Sequence, residues 1–197
     1  INLHRINCHL DWYGYYGLAF PKEWGMENGI QPIQYINPES KLSKDFSVAF
    51  NQVLNDSSET DELGDIMKSF MLHELMYYKP YEGKMRNRRS KKIEKKCFTD
   101  ECEWRYVPDL SGTEFQQIYH DPNIMNAGIM NDISNSLTKV EGIALKYDYS
   151  DLKYIIIKTT DDFVKLVSVI DRLKIDVNTR NELISKIIIW DKSKEDF

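Results

Sequence analysis

The chain has 197 residues, 42% of them hydrophobic and 29% charged, with twelve Tyr, four Trp, nine Gly and six Pro. That is enough apolar material for a packed domain and excludes a disordered chain. A net charge of −5 offers no general attraction to nucleic acid, no apolar run reaches the roughly 18–20 residues of a membrane-crossing helix, and no signal-peptide pattern opens the chain.

These bounds point to a cytoplasmic protein. The numbering begins at Ile1, inside what reads as a domain, so residues before it are expected to be missing. Leu3, Ile6 and Leu10 recur at helical spacing over 3–12. Tyr13-Gly14-Tyr15-Tyr16-Gly17 ends that helix, and Leu18-Ala19-Phe20 reads as a buried strand. Pro21 suits the first position of a short helix over 21–28, closed by Asn28-Gly29 as a left-handed stop. Pro32 to Ile36 is a second strand. Helices over 38–54 and 60–77 follow, and Leu63, Ile66, Met67, Phe70 and Met71 form a one-sided stripe expected in the core.

Residues 84–96 hold eight Lys or Arg against Glu94 alone, a local +7 that leaves −12 elsewhere. The stretch Asp56, Glu59, Asp61, Glu62 and Asp65 is the acidic extreme. So dense a basic block is a solvated loop or a docking surface for phosphate or an acidic partner. It reads as a flexible loop over 80–97, and it lacks the interleaved aromatics of a single-strand binder.

Next comes a short strand that Pro108 stops. Strand side chains alternate, which puts Glu101, Glu103, Arg105 and Val107 on one face and Cys102, Trp104 and Tyr106 on the other. The polar row either lines a site or is an ion-paired surface strand packed by its aromatic back. Phe115 to Tyr119 is ambiguous, a helix restarts at Pro122 and runs to Leu137, and Gly142 to Lys146 reads as a strand. Leu152 to Ile157 ends in an apolar run that implies a central strand covered on both faces. Thr159 and Asp162 open a helix over 160–173 with a capping-box pattern, its Phe163, Leu166, Val167 and Ile170 facing inward. A last helix over 178–187 presents Leu183, Ile184 and Ile187. With no repeat and no linker, the expectation is one α+β domain over 1–197, its mixed or mostly antiparallel sheet flanked by helices.

No GxGxxG, Walker, GxSxG or HExxH motif occurs. Cys8, Cys97 and Cys102 lack CxxC spacing, and His4, His9, His73 and His120 contain no i, i+4 pair. Reduced packing thiols and no metal are expected. Two constellations remain. Tyr13 and Tyr16, with Lys22 and Trp24 close behind, offer flat surfaces and hydroxyl tips around turn-forming glycines. The other is the Glu-x-Glu-x-Arg row. Such a carboxylate pair, following a mobile loop, also occurs in mono-ADP-ribosyltransferases, where a fixed anion faces developing oxocarbenium charge. On that reading Glu103 is catalytic, Glu101 helps it, Tyr13 or Tyr16 stacks on the nicotinamide of NAD, and His9 meets a ribose hydroxyl. Arg105, two residues on, could neutralise Glu103.

Taken together, three segments resemble the AbiGi-type abortive phage resistance family. They are Tyr13-Gly14-x-Tyr16-Gly17 with Lys22-Glu23-Trp24-Gly25, Gly29-Ile30-x-Pro32-Ile33-x-Tyr35 behind it; Phe98-x-Asp100-Glu101-x-Glu103-Trp104-Arg105-Tyr106-Val107-Pro108; and Leu152 to Ile157 with Lys186-Ile187-Ile188 and Lys194 to Phe197. Cys102 stands where Arg is usual. The resemblance implies a bacterial abortive-infection component, named as antitoxin to a nucleotidyltransferase-like toxin. The reading is a protein-binding antitoxin or phage-sensing module, with Tyr13, Tyr16, Lys22, Trp24 and Arg105 as binding residues and no cofactor. The alternative is the ADP-ribosyltransferase with NAD, so enzymatic activity stays open. A protein partner is expected, an oligomer is compatible, nucleic acid ranks last, and no membrane is involved.

Overall fold

The computed structural model describes residues 6–55, 62–87, 90–110 and 126–194. His4, the Cys8 side chain, Asp56, Glu59, Asp61, Arg88, Arg89, Phe115 to Tyr119, His120, Pro122 and the last three residues lie outside the described residues. Contacts divide the chain into two compact units, one of residues 1–105 and 149–197 and one of residues 106–148.

Three consecutive isoleucines organise the first unit. Strand β8 (Tyr154–Ile157) lies between β1 (Gly17–Ala19), antiparallel to it, and β9 (Ile187–Ile189), parallel to it. Alternation then sends successive side chains to opposite faces. Ile155 and Ile157 pack with Leu152, with Ile170 of α6 (Thr160–Ile170) and with Leu183 of α7 (Val177–Ser185). Ile156 packs on the other side with Ile6 and Leu10 of α1 (Ile6–Tyr13) and Trp190 of α8 (Trp190–Ser193). The central strand is therefore covered on both faces, as its apolar run implies. The reciprocal capping box is also present: Thr159 Oγ1 accepts from the Asp162 N–H at 3.2 Å, and the Thr159 N–H donates to Asp162 Oδ2 at 3.0 Å.

The rest of this unit builds the walls of a cleft. After α2 (Lys22–Glu27), the chain over 31–36 pairs in two directions. Strand β2 (Gln31–Pro32) is antiparallel to β7 (Trp104–Arg105), and β3 (Gln34–Ile36) is parallel to β4 (Tyr78–Pro80). Buried Ile33 marks the change of partner, its N–H still donating to the Glu103 carbonyl at 3.2 Å. Helices α3 (Lys41–Asn55) and α4 (Glu62–Tyr77) connect β3 to β4, with Phe46 of α3 packing on Tyr78 at 4.7 Å between rings. The β5 (Glu82–Arg86) and β6 (Ile93–Cys97) hairpin follows, then a 3-10 turn (Phe98–Glu101). At Gly83 an added Cβ would come within 2.8 Å of the Phe98 ring, so the turn can close on the hairpin only over a glycine. The second unit has α5 (Ala127–Leu137), capped by the Asn126 side chain, which accepts from the Gly128 and Ile129 N–H groups at 2.9 and 3.1 Å.

The α+β class holds, with several small sheets instead of one large one. Five local expectations change. Leu18 is half exposed because β1 is a sheet edge. The basic segment read as a loop is an ordered hairpin whose facing pairs run from Glu82↔Cys97 to Arg86↔Ile93. Residues 142–146 form a turn and coil, with Gly142 at φ +83°, and not a strand. The strand expected to carry the glutamates is only Trp104–Arg105 and carries neither, because Glu101 ends the 3-10 turn and Cys102 adopts a left-handed φ of 44° before β7. Most consequentially, Leu63, Ile66, Met67 and Phe70 face solvent. Of the stripe only Met71 is buried, because α4 turns its Gly64, Lys68, Met71 and Leu72 side inward. No described helix is long and apolar enough to cross a membrane.

Candidate functional site

Glu101 ends the 3-10 turn and is only 5% exposed. A carboxylate so placed must find compensating charge and donors. It does: Oε1 receives the Tyr13 hydroxyl and Lys96 Nζ, the latter at 2.6 Å, and Oε2 pairs with Lys79 Nζ. Lys96, itself 7% exposed, also donates to the Tyr13 hydroxyl at 3.2 Å and sits 4.3 Å from that ring's centre. Burial alone would raise the Glu101 pKa. The hydrogen bonds from Lys79, Lys96 and Tyr13 outweigh it and hold the pKa down at about 2, from an ordinary 4.5.

Glu103 lies two residues on and shares Lys79, whose Nζ reaches its Oε2 at 2.7 Å. Its other oxygen takes two N–H groups of Arg105, at 3.0 and 2.7 Å. Arg105 also donates to the Met76 carbonyl, and the Glu103 N–H donates to the Tyr35 hydroxyl at 2.9 Å. Burial works against the charged form of Glu103 too, and Lys79 and Arg105 overcome it, lowering its pKa. The cluster ties together α1, β3, β4, β6, the 3-10 turn and β7.

In front of it opens a cleft of about 1060 Å³. Glu101, Glu103, Tyr13, Lys22 and Trp24 line it, so five of the seven residues singled out in the sequence meet at one place. Arg105 is bound to Glu103 beside it. Tyr16 is not part of it: its hydroxyl donates to Asp162 at 3.1 Å, at the start of α6. Tyr13, in the segment read as ending the first helix, is the last residue of α1 and docks against the 3-10 turn. His9 also faces the cleft, its ring tilted against Tyr13 at 4.6 Å between centres, with a buried Nδ1 that has no hydrogen-bond partner among the described residues. Burial, then the Lys96 charge, lowers its pKa, so the imidazole is neutral at neutral pH. Trp104, placed by strand alternation on the face away from the glutamates, is half-buried on the cleft wall with Lys22 Nζ 5.1 Å from its ring centre.

Over residues 1–158 the chain matches the family described as "Putative abortive phage resistance protein AbiGi, antitoxin". It is 31% identical over 213 aligned residues to the abortive phage resistance protein AbiGi of Lactococcus lactis subsp. cremoris, covering 100% of this chain and 86% of that relative. The chain belongs to the AbiGi family. No solved structure gives a significant match.

The abortive phage resistance setting implied by the sequence resemblance is thus established at the level of the family. The family match takes in both carboxylates and the whole hairpin and stops before α6, α7 and α8. Sequence reasoning missed the lysines that hold this AbiGi cluster together. Lys96 lay inside a block read as solvated, and Lys79 is 22 residues from Glu101 with no motif around it. The one available signal was the adjacency of Glu-x-Glu to a basic segment, which pairing of β5 with β6 folds back onto it. Chemically the arrangement is a closed ion cluster. A glutamate already neutralised by Lys79 and Arg105 projects little negative potential toward a developing cation.

Proposed function

We propose that the protein acts in abortive infection as a protein-binding antitoxin, holding its toxin on the outer face of α4. The observation that carries this reading is the row Leu63, Ile66, Met67 and Phe70, exposed by 65, 57, 44 and 55%. Single exposed apolar residues are ordinary, but four at i, i+3, i+4 and i+7 form one continuous strip on a helix. Exposed Glu62 and Asp65 edge its first turn. The complementary surface is therefore apolar with a basic rim, and opposite charge there would speed and orient docking. The family's description as an antitoxin supports a toxin as occupant. The test is co-purification with the product of the adjoining operon gene. Loss of the pair in Phe70→Glu, with the melting temperature unchanged, is the expected result. A phage component in place of the toxin would appear as protection retained without any toxin complex. A dimer of this chain abolished by Phe70→Glu would assign the strip to a second copy and overturn the reading.

A second reading is ADP-ribosyl transfer from NAD by Glu103 with Glu101 as helper. One observation favours it: both carboxylates and Tyr13 line the same aromatic cleft. The ion pairs of Glu103 weigh against it. Label transfer from NAD to a lysate protein, lost in Glu103→Gln, would support it; unchanged transfer in that variant would remove Glu103 from the role.

A further inference from the structure

We infer that the cleft beside the ion cluster is a binding site for a free mononucleotide, with Lys22 and Lys153 holding its phosphates and Trp104 and Trp24 presenting surfaces for its base. The inference begins from charge. The protein carries −5 overall, yet among the described residues Lys22, Lys79 and Lys153 line this cleft with Glu101 and Glu103 as its carboxylates, and Lys96 and Arg105 pair with those two glutamates beside it. Lys79, Lys96 and Arg105 neutralise the two carboxylates. Lys22 and Lys153 are left over: each lies near an aromatic ring, and neither has a carboxylate partner among the described residues. Two unmatched ammonium groups on one concave wall attract an anion.

They also occupy one corner. The Lys153 N–H donates to the Ala19 carbonyl at 2.8 Å, and Lys22 follows Ala19 by three residues at the first position of α2. The pairing Ala19↔Tyr154 keeps that corner rigid. Both side chains are exposed, free to swing onto a ligand.

Aromatic rings supply the remainder. Trp24 is stacked on Phe20 at 4.3 Å, which fixes its plane, and Trp104 and Tyr154 complete the walls. Flat apolar faces beside unpaired cations fit a ring that carries phosphate better than an inorganic anion alone. The cleft's volume of about 1060 Å³ is close to the upper end, about 1,000 Å³, of ordinary small-molecule sites. This site is separate from α4, and it does not depend on the transfer reading: nucleotide bound without any label transfer supports it.

The experiment titrates the full chain with ATP while following tryptophan fluorescence, with adenosine and tripolyphosphate as parallel ligands. ATP is expected to give a saturable change at lower concentration than either fragment. Lys22→Ala and Lys153→Ala should each weaken it roughly fivefold, while Lys165→Ala on α6 leaves it unchanged, all with intact melting curves. NAD binding with the same two-lysine dependence would support the same phosphate chemistry. No saturation at millimolar ATP, equal binding of ATP and either fragment, or insensitivity to both lysine variants overturns it. So does a short single-stranded oligonucleotide that binds more tightly than ATP with a steep salt dependence, since the site would then read a strand.

Discussion

The Glu101 cluster and the outer face of α4 invert the usual placement of side chains in opposite ways. In the cluster, charged groups sit where apolar ones belong: Glu101 and Lys96 are buried, and each Glu101 oxygen accepts from neighbouring side chains. On α4, apolar groups sit where charged ones belong, with Leu63 and Ile66 more than half exposed. The first inversion is resolved within the chain, because lysines from β4 and β6 meet the carboxylate. The second has no internal answer among the described residues. A satisfied oddity of burial is architecture, whereas an unsatisfied one points outward to a partner.

The largest effect expected from breaking this contrast is on the cluster side. Glu101→Gln leaves Lys79 and Lys96 without their shared anion, and losing one member of a buried pair costs about 3–5 kcal/mol. For a chain of this size that lowers the melting temperature by roughly 10 °C, measurable by calorimetry. A shift of only a degree or so would mean the cluster is not architectural.

Acid should reproduce the loss. The Glu101 pKa falls from 4.5 unfolded to about 2 folded. Its stabilisation is therefore fully present above 4.5 and is lost as pH falls toward about 2, amounting to roughly 3 kcal/mol. Urea midpoints measured across that window should fall with pH in the wild type and fall less steeply in Glu101→Gln, by the share Glu101 contributes. Glu103, Asp162 and Asp176, whose pKa values are also lowered, supply the remainder.

Glu103→Gln should cost less. Its carboxylate is partly exposed, and the bonds at stake join it to Lys79 and Arg105, worth about 1.5–3 kcal/mol for charged hydrogen bonds. A cost equal to that of Glu101→Gln would make the two carboxylates one inseparable unit.

How far the sequence foretold these regions depends on whether the deciding contact is local. The Ile155 to Ile157 run and the Thr159 and Asp162 cap were legible because neighbours within a few residues decide them. Glu101 and Glu103 were picked out on strand alternation, which the left-handed Cys102 breaks. They meet through Lys79, whose approach depends on β3 pairing with β4, a contact no short pattern encodes. Lys96 looked like one charge among eight until pairing in the hairpin turned it inward. On α4 the stripe was read as one-sided and inward, but apolar residues extend around more than one face, and of the stripe only Met71 is buried.

The smallest effect on stability carries the largest functional consequence. Phe70→Glu alters an exposed side chain and should change folding free energy by no more than about 0.5 kcal/mol. The decisive measurement is a side-by-side titration of toxin with wild type, Phe70→Glu and Glu101→Gln, below the melting temperature of all three. The account predicts that Phe70→Glu alone abolishes binding, while folded Glu101→Gln still forms the complex. Full binding by Phe70→Glu, or its loss in Glu101→Gln only, would contradict it and move the partner site to the ion cluster.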